Sequence, residues 1–191
     1  MRILFIDNYD SFTHNVVALL NQIGGLEIDL CKNDELSKID VSQYKKLILS
    51  PGPDLPARAG ELMPFLQKNL RSIPTLGICL GHQAIAAYFG GSLTQYASPQ
   101  HGELTKLSIV KPNTLFLGLP TSFDVGLYHS WYVSEKDFPE ELQITATNAS
   151  NIIMAMEHKS LPIFSVQFHP ESFMSEYGLE IMKNFIQHKK F

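Results

Sequence analysis

The sequence predicts an open, mostly parallel α/β sheet with helices on both faces and additional antiparallel strands in its second half. Three observations predict it. Through the first half, short apolar runs alternate with helically spaced segments, the pattern of βαβ units whose strands are covered on both sides. In the second half, strand-like runs follow one another across short connections. A hydrophobic content of 45% with only 18% charged residues, in 191 residues, supplies a core large enough for such a sheet.

The elements follow in order. "RILFID" (2–7) reads as a first core strand, and residues 12–23 have helical spacing with Ser11 as the N-cap. Gly24 and Gly25 stop that helix. "LEIDLCK" is a second strand and "KKLILS" a third. The turn-rich "PGPDLPARAG" leads into a helix over 61–70, "PTLGIC" (74–79) is a fourth strand, and 80–89 is again helical. Then come "ELTKLSIV", "LQITATN", "IIMAMEH" and "LPIFSVQF", all strand-like, with a hairpin through "HKSLP" joining the last two. A helix over 177–188 closes the chain. No repeat, low-complexity stretch or linker divides it, so residues 1–191 read as a single domain.

Composition narrows the function. Fifteen Lys and Arg against 19 Asp and Glu give a net charge of −4, and no basic cluster exceeds two residues, so nucleic acid is not an expected partner. No apolar stretch approaches the length of a membrane span, and the N-terminus turns polar too soon for a secretory signal. Two cysteines, Cys31 and Cys79, form no disulfide framework, which places the chain in a reducing cytoplasm. Cys31 reads as packing at a strand end.

Cys79 is placed differently. "GICLG" (77–81) puts it between two glycines where strand gives way to helix, the G-x-nucleophile-x-G form of a nucleophile elbow with sulfur in place of oxygen. A turn this sharp brings neighbouring backbone close, and a Cβ at either flank would clash. The start of a helix offers unpaired N–H groups and a dipole that favours an anion, an arrangement that activates thiols. The N–H of Leu80 then faces an oxyanion on whatever the sulfur attacks. Taken alone, the cysteine is equally a small core residue.

"FSVQFHPES" supplies the missing base. In extended backbone, His169 and Glu171 point the same way, and Pro170 between them keeps His169 out of the helical region. Glu171 can accept from one imidazole nitrogen and leave the other to take the thiol proton. Singly, the pair reads as a solvated turn histidine and a helix N-terminal acid. "LSPGP" (49–53) is a stiff turn that presents the Gly52 N–H outward, where it could serve as a second oxyanion donor; taken alone it reads as an ordinary Pro-Gly loop. His82 lies on a different helix face from the thiol; local hydrogen bonding or partner contact is its expected role.

With these residues in place, "NYDSFTHN" (8–15), "LSPGP", "GICLGHQAI" (77–85), "YHS" (128–130) and "VQFHPES" (166–172) together resemble the class I glutamine amidotransferases. More narrowly, they resemble the small glutaminase subunits of anthranilate synthase and aminodeoxychorismate synthase. The resemblance spans nearly the whole chain and implies a flavodoxin-like sheet. It implies that Cys79 attacks the side-chain amide of L-glutamine, that His169 shuttles protons and that Glu171 orients it. Leu80 and Gly52 would supply the oxyanion N–H groups. Gly52, Pro53, Asp54, Gln83, Ser130 and Trp131 would hold the substrate. No cofactor and no metal site are expected in this chain; chorismate and magnesium belong to a larger synthase subunit that receives the ammonia. Asp54 stands where the pattern has glycine, Leu127 where arginine is common, and Trp131 where a smaller residue is usual. The alternatives are a glutaminase serving imidazole glycerol phosphate, carbamoyl phosphate or guanylate synthesis, and a non-catalytic binding module on the same sheet.

Overall fold

Strand segments that are mostly apolar bury both faces of a central parallel sheet, and that burial organises the rest. The computed structural model describes residues 1–189. It runs β1 (Arg2–Asp7), α1 (Thr13–Asn21), β2 (Glu27–Lys32), β3 (Lys46–Leu49), α2 (Leu62–Asn69), β4 (Thr75–Ile78), α3 (Leu80–Tyr88), β5 (Leu93–Ile109), β6 (Ser122–Val133), β7 (Leu142–Asn148), β8 (Ile153–His158), β9 (Ile163–Val166) and α4 (Gly178–Gln187). Among the described residues the strands form one sheet in the order β2-β1-β3-β4-β9-β8-β7-β5-β6. The neighbours from β2 to β9 are parallel, and those from β9 to β6 antiparallel. Val16 and Leu20 of α1 pack with Ile181 and Phe185 of α4 in one apolar cluster. Leu62 and Leu66 of α2 pack with Leu80 and Ile85 of α3 in the other. No helix among the described residues is long and apolar enough to cross a membrane.

Three details differ from the sequence reading. Ser11 does not cap α1: the helix starts after Phe12, which makes no side-chain cap bond. Two aspartates shape this turn instead. Asp7 accepts from the Tyr9 N–H (2.9 Å) and the Thr13 hydroxyl (2.7 Å), and Asp10 accepts from the Phe12 N–H (2.7 Å). The strand foreseen at "ELTKLSIV" is the end of a 17-residue β5, and its antiparallel partner β6 was not foreseen at all. The hairpin between β8 and β9 and the closing helix are where the sequence puts them. Lys46, buried, donates to the Phe185 and His188 carbonyls and so caps the end of α4.

The parallel strands β1, β3, β4 and β9 end on one side of the sheet. The segments leaving them carry Phe12, Gly52, Cys79 and His169, so one edge collects the chemistry, as expected of an open α/β sheet.

Candidate active site

Cys79 sits between β4 and α3 at φ 51° and ψ −100°, a conformation that L-residues rarely adopt. Its N–H donates to Val166 O at the end of β9 (2.9 Å), and its carbonyl accepts the first helical bond from Gln83 (3.1 Å). Both flanking glycines are required sterically. A Cβ on Gly77 would lie 2.5 Å from Gly81 O, and one on Gly81 would lie 2.6 Å from Leu49 O. Cys79 is 4% exposed, so its sulfur is almost wholly covered by the surrounding segments.

His169 follows β9 and is 1% exposed. Its Nδ1 donates to Glu171 Oε1 at 2.7 Å, and the Glu171 side chain is fully buried. Because a carboxylate only accepts, Nδ1 carries a proton and Nε2 is left as the working nitrogen. Nε2 is buried with no partner in hydrogen-bond geometry, a loose arrangement of the kind that tightens on substrate binding. Burial disfavours the imidazolium. Interaction with Cys79 on one side and the hydrogen bond to Glu171 on the other outweigh it and hold the His169 pKa well above its usual value. The structure thus brings Cys79, His169 and Glu171 together.

The remaining expected residues gather around them. A Cβ on Gly52 would come within 2.7 Å of Leu80 Cδ2 and 2.6 Å of Asn8 Cβ, so the "PGP" turn lies against the elbow. Pro53 and Asp54 are exposed. Asp54 adopts φ 62°, the left-handed region where glycine is easiest and aspartate tolerated, and pairs at the surface with Arg58 (3.2 Å). Leu127 is buried in the apolar core. Gln83 is buried and donates to Trp131 O (2.8 Å). Ser130 and Trp131 lie half-buried on β6 beside an irregularity: Trp131 pairs with Gln95 and His129 with Gln100, so residues 96–99 bulge out opposite Ser130.

Two residues missed in the sequence join the site. Gln167 Nε2 points at Cys79 Sγ (3.6 Å), and its Oε1 accepts from Gln83 (3.3 Å). His169 and Glu171 meet across a turn, closed by the Ser172 N–H to His169 O (3.1 Å), and not in the extended backbone the sequence suggests; Gln167 leaves the end of β9 two positions before His169. His129 donates through Nδ1 to Trp131 O (2.8 Å), which therefore receives two hydrogen bonds. His82 is fully buried with Nδ1 2.9 Å from Ser165 Oγ; local bonding is its role, and surface contact with a partner is excluded.

Burial lowers the pKa of His82 to about 3, helped by His129, and that of His129 to about 4. An unfolded histidine charges near pH 6.5, at about its reference value. Between these limits the unfolded chain binds more protons than the folded one, so acidification below about pH 6.5 destabilises the fold. Urea unfolding of His82→Gln between pH 6.5 and 4.5 should show a pH slope shallower than wild type by about 1 kcal/mol per unit. An unchanged slope would contradict the neutral buried imidazole.

Among the described residues, no group of three or more His, Cys, Asp or Glu is arranged to hold a metal ion.

Comparison with known proteins follows the same lines. The family described as glutamine amidotransferase class-I matches residues 4–189. A protein of Haemophilus influenzae, provisionally named anthranilate synthase component II, is 43% identical over 186 residues, 97% of this chain and 96% of its own. Anthranilate synthase component 2 of Azospirillum brasilense is 38% identical over 187 residues, 96% of this chain and 94% of its own. Among solved structures, a Thermoplasma acidophilum protein provisionally assigned as one chain of a GMP synthase superposes with a TM-score of 0.86 at 30% identity, covering 97% of this chain and 92% of that one.

Proposed function

The chain belongs to the class-I glutamine amidotransferases, and on that premise we propose that it is the glutaminase subunit of a chorismate-using synthase, anthranilate synthase first. The observation that carries this reading is the line Glu171–His169–Cys79, buried at an elbow that opens a helix. The near full-length similarity to component 2 proteins of anthranilate synthase supports the acceptor.

Cys79 Sγ attacks the side-chain amide carbon of L-glutamine while His169 Nε2 takes the thiol proton. The N–H groups of Leu80 and Gly52 hold the oxyanion, and Gln167 keeps a donor on the sulfur side. His169 returns its proton to the amide nitrogen, the C–N bond breaks and ammonia leaves a γ-glutamyl thioester. Water, deprotonated by the same imidazole, then releases glutamate and the thiol. Glu171 holds the ring in the required tautomer throughout. Gly52, Pro53, Asp54 and Gln83 border the substrate, and the backbone of Ser130 and Trp131, opposite the β5 bulge, receives its α-amino and carboxylate ends. Ammonia passes to the larger synthase chain. Phe173, 95% exposed and two residues past Glu171, marks the face for that contact. Both cysteines are free thiols, in keeping with a cytoplasmic enzyme.

The test is reconstitution. Mixed with an anthranilate synthase component I, chorismate and glutamine, this chain should give fluorescent anthranilate at a rate that component I alone reaches only with ammonium salts. Activation of an aminodeoxychorismate synthase instead would move the chain to the para-amino branch. Activation solely of a GMP-forming synthase would overturn the chorismate assignment.

A further inference from the structure

The two signature segments "NYDSFTHN" and "YHS" have no catalytic atom in the steps above, yet both reach His169. The Phe12 ring lies 5.3 Å from the imidazole, centroid to centroid, at 67° between planes. The Tyr128 ring lies 5.0 Å away at 65°. The two rings touch each other at 4.9 Å. All three pairs fall in the range of tilted and edge-to-face aromatic contacts, and both outer rings are half-buried while His169 is almost wholly covered. We propose that Phe12 and Tyr128 are positioning residues for His169, a two-ring clamp that keeps water off the imidazole and aims Nε2 at Cys79.

The surroundings fix each ring. Phe12 is held by the Asp10 carboxylate on its N–H, and its loop is tied to the end of β3: the Asn8 backbone N–H donates to Ser50 Oγ (2.8 Å), and Asn8 Nδ2 donates to Ser50 O (3.0 Å). The Tyr128 hydroxyl lies 3.0 Å from Ser172 Oγ and donates to Met174 Sδ (3.3 Å), in the turn that His169 begins. The same turn is docked on β6 through His169 N–H to Gly126 O (3.2 Å) and Gly126 N–H to Ser175 Oγ (3.0 Å), and is closed on itself by Ser175 Oγ donating to His169 O (2.6 Å). The chain's first loop and a distant strand therefore converge on one imidazole. The ionisable groups around that ring are Cys79 from the elbow, Glu171 from its own turn, and His129 and the Tyr128 phenol from β6.

This inference rests on the glutaminase reading of Cys79 and His169, and the experiment separates the two. Glutamate release is measured in the complex with the synthase for wild type, Phe12→Leu, Tyr128→Leu, the double leucine variant and Tyr128→Phe, with melting temperatures alongside. The double variant should lose about 100-fold in kcat, the cost of an imidazole misplaced by about 1 Å, with glutamine KM within about threefold. Tyr128→Phe, which keeps the ring, should stay within about threefold of wild type, and Phe12→Leu alone should lose about tenfold. In the free chain, the rate of Cys79 alkylation by iodoacetamide at neutral pH should fall in the double variant. The clamp is overturned if kcat holds while KM rises, if neither changes, or if Tyr128→Phe is as damaging as Tyr128→Leu. If wild-type glutamate release does not depend on Cys79, the glutaminase reading itself has failed.

Discussion

Cys79→Ser should lower glutamine-dependent product formation by about 10³-fold or more, while synthesis from ammonium salts by the same complex stays near wild type. A serine fits the same space and can take the same backbone conformation, so the fold and the partner contact survive. The nucleophile does not. A thiol is partly ionised near neutral pH and reacts readily, whereas a hydroxyl needs complete deprotonation by a base in the transition state. Glu171, 2.7 Å from Nδ1, helps raise the proton affinity of His169, enough to take a proton from a thiol but not from the far less acidic hydroxyl. Anthranilate fluorescence with glutamine and with ammonium chloride, read side by side, is the measurement. A variant that kept a tenth or more of its glutamine activity would remove Cys79 from the mechanism.

The second large effect lies outside the elbow. Gly178 opens α4 just after Tyr177, which is left-handed at φ 56°, and a Cβ on it would fall 1.8 Å from the Pro170 carbonyl oxygen and 2.8 Å from its carbon. Backbone cannot rotate out of the way as a side chain can. Either α4 yields its first turn or the Pro170 peptide moves, and Pro170 sits between His169 and Glu171. Gly178→Ala should therefore lower glutamine hydrolysis by about 100-fold, as expected for a catalytic group displaced by about 1 Å. It should also reduce stability by about 2–3 kcal/mol, the scale of an overpacked site. Kinetics with glutamine and ammonia, together with urea unfolding, separate the two losses. Wild-type glutamine kinetics in this variant would show that the turn does not depend on its support from α4.

The parts of the fold that a sequence can show are those with local periodicity. β1, β3, β4 and β9 each carry a short apolar run because both faces are covered, and they were plain. β6 was not, because "SFDVGLYHSWYV" mixes Asp124, Gly126 and Ser130 into a strand whose partner lies across a long connection, and because the bulge at residues 96–99 breaks the pairing that would have marked it. Ser11 looked like a cap since serine is a common one. Asp7 and Asp10 reach the same N–H groups and hydroxyl from positions that sequence spacing does not privilege. In the site, the elbow glycines were legible because their geometry is set by near neighbours; the pairing of His169 with Glu171 was foreseen for another reason than the real one, since the two meet across a turn and not along extended backbone. The meeting of Phe12 with Tyr128 was not, since it depends on which strands the sheet makes adjacent. Gln167 leaves the end of β9 two positions before His169 and was passed over only because an amide, unlike an imidazole, suggests no reaction of its own.

The backbone of Cys79 carries one further consequence. Its φ of 51° with ψ of −100° costs about 1–3 kcal/mol for any residue bearing a Cβ, and glycine alone escapes it. Selection for heat tolerance by itself would consequently drift toward glycine at this position, yielding sturdier molecules with nothing left to react. The strain persists in the folded protein as a standing handicap, one that stability alone gives no reason to keep.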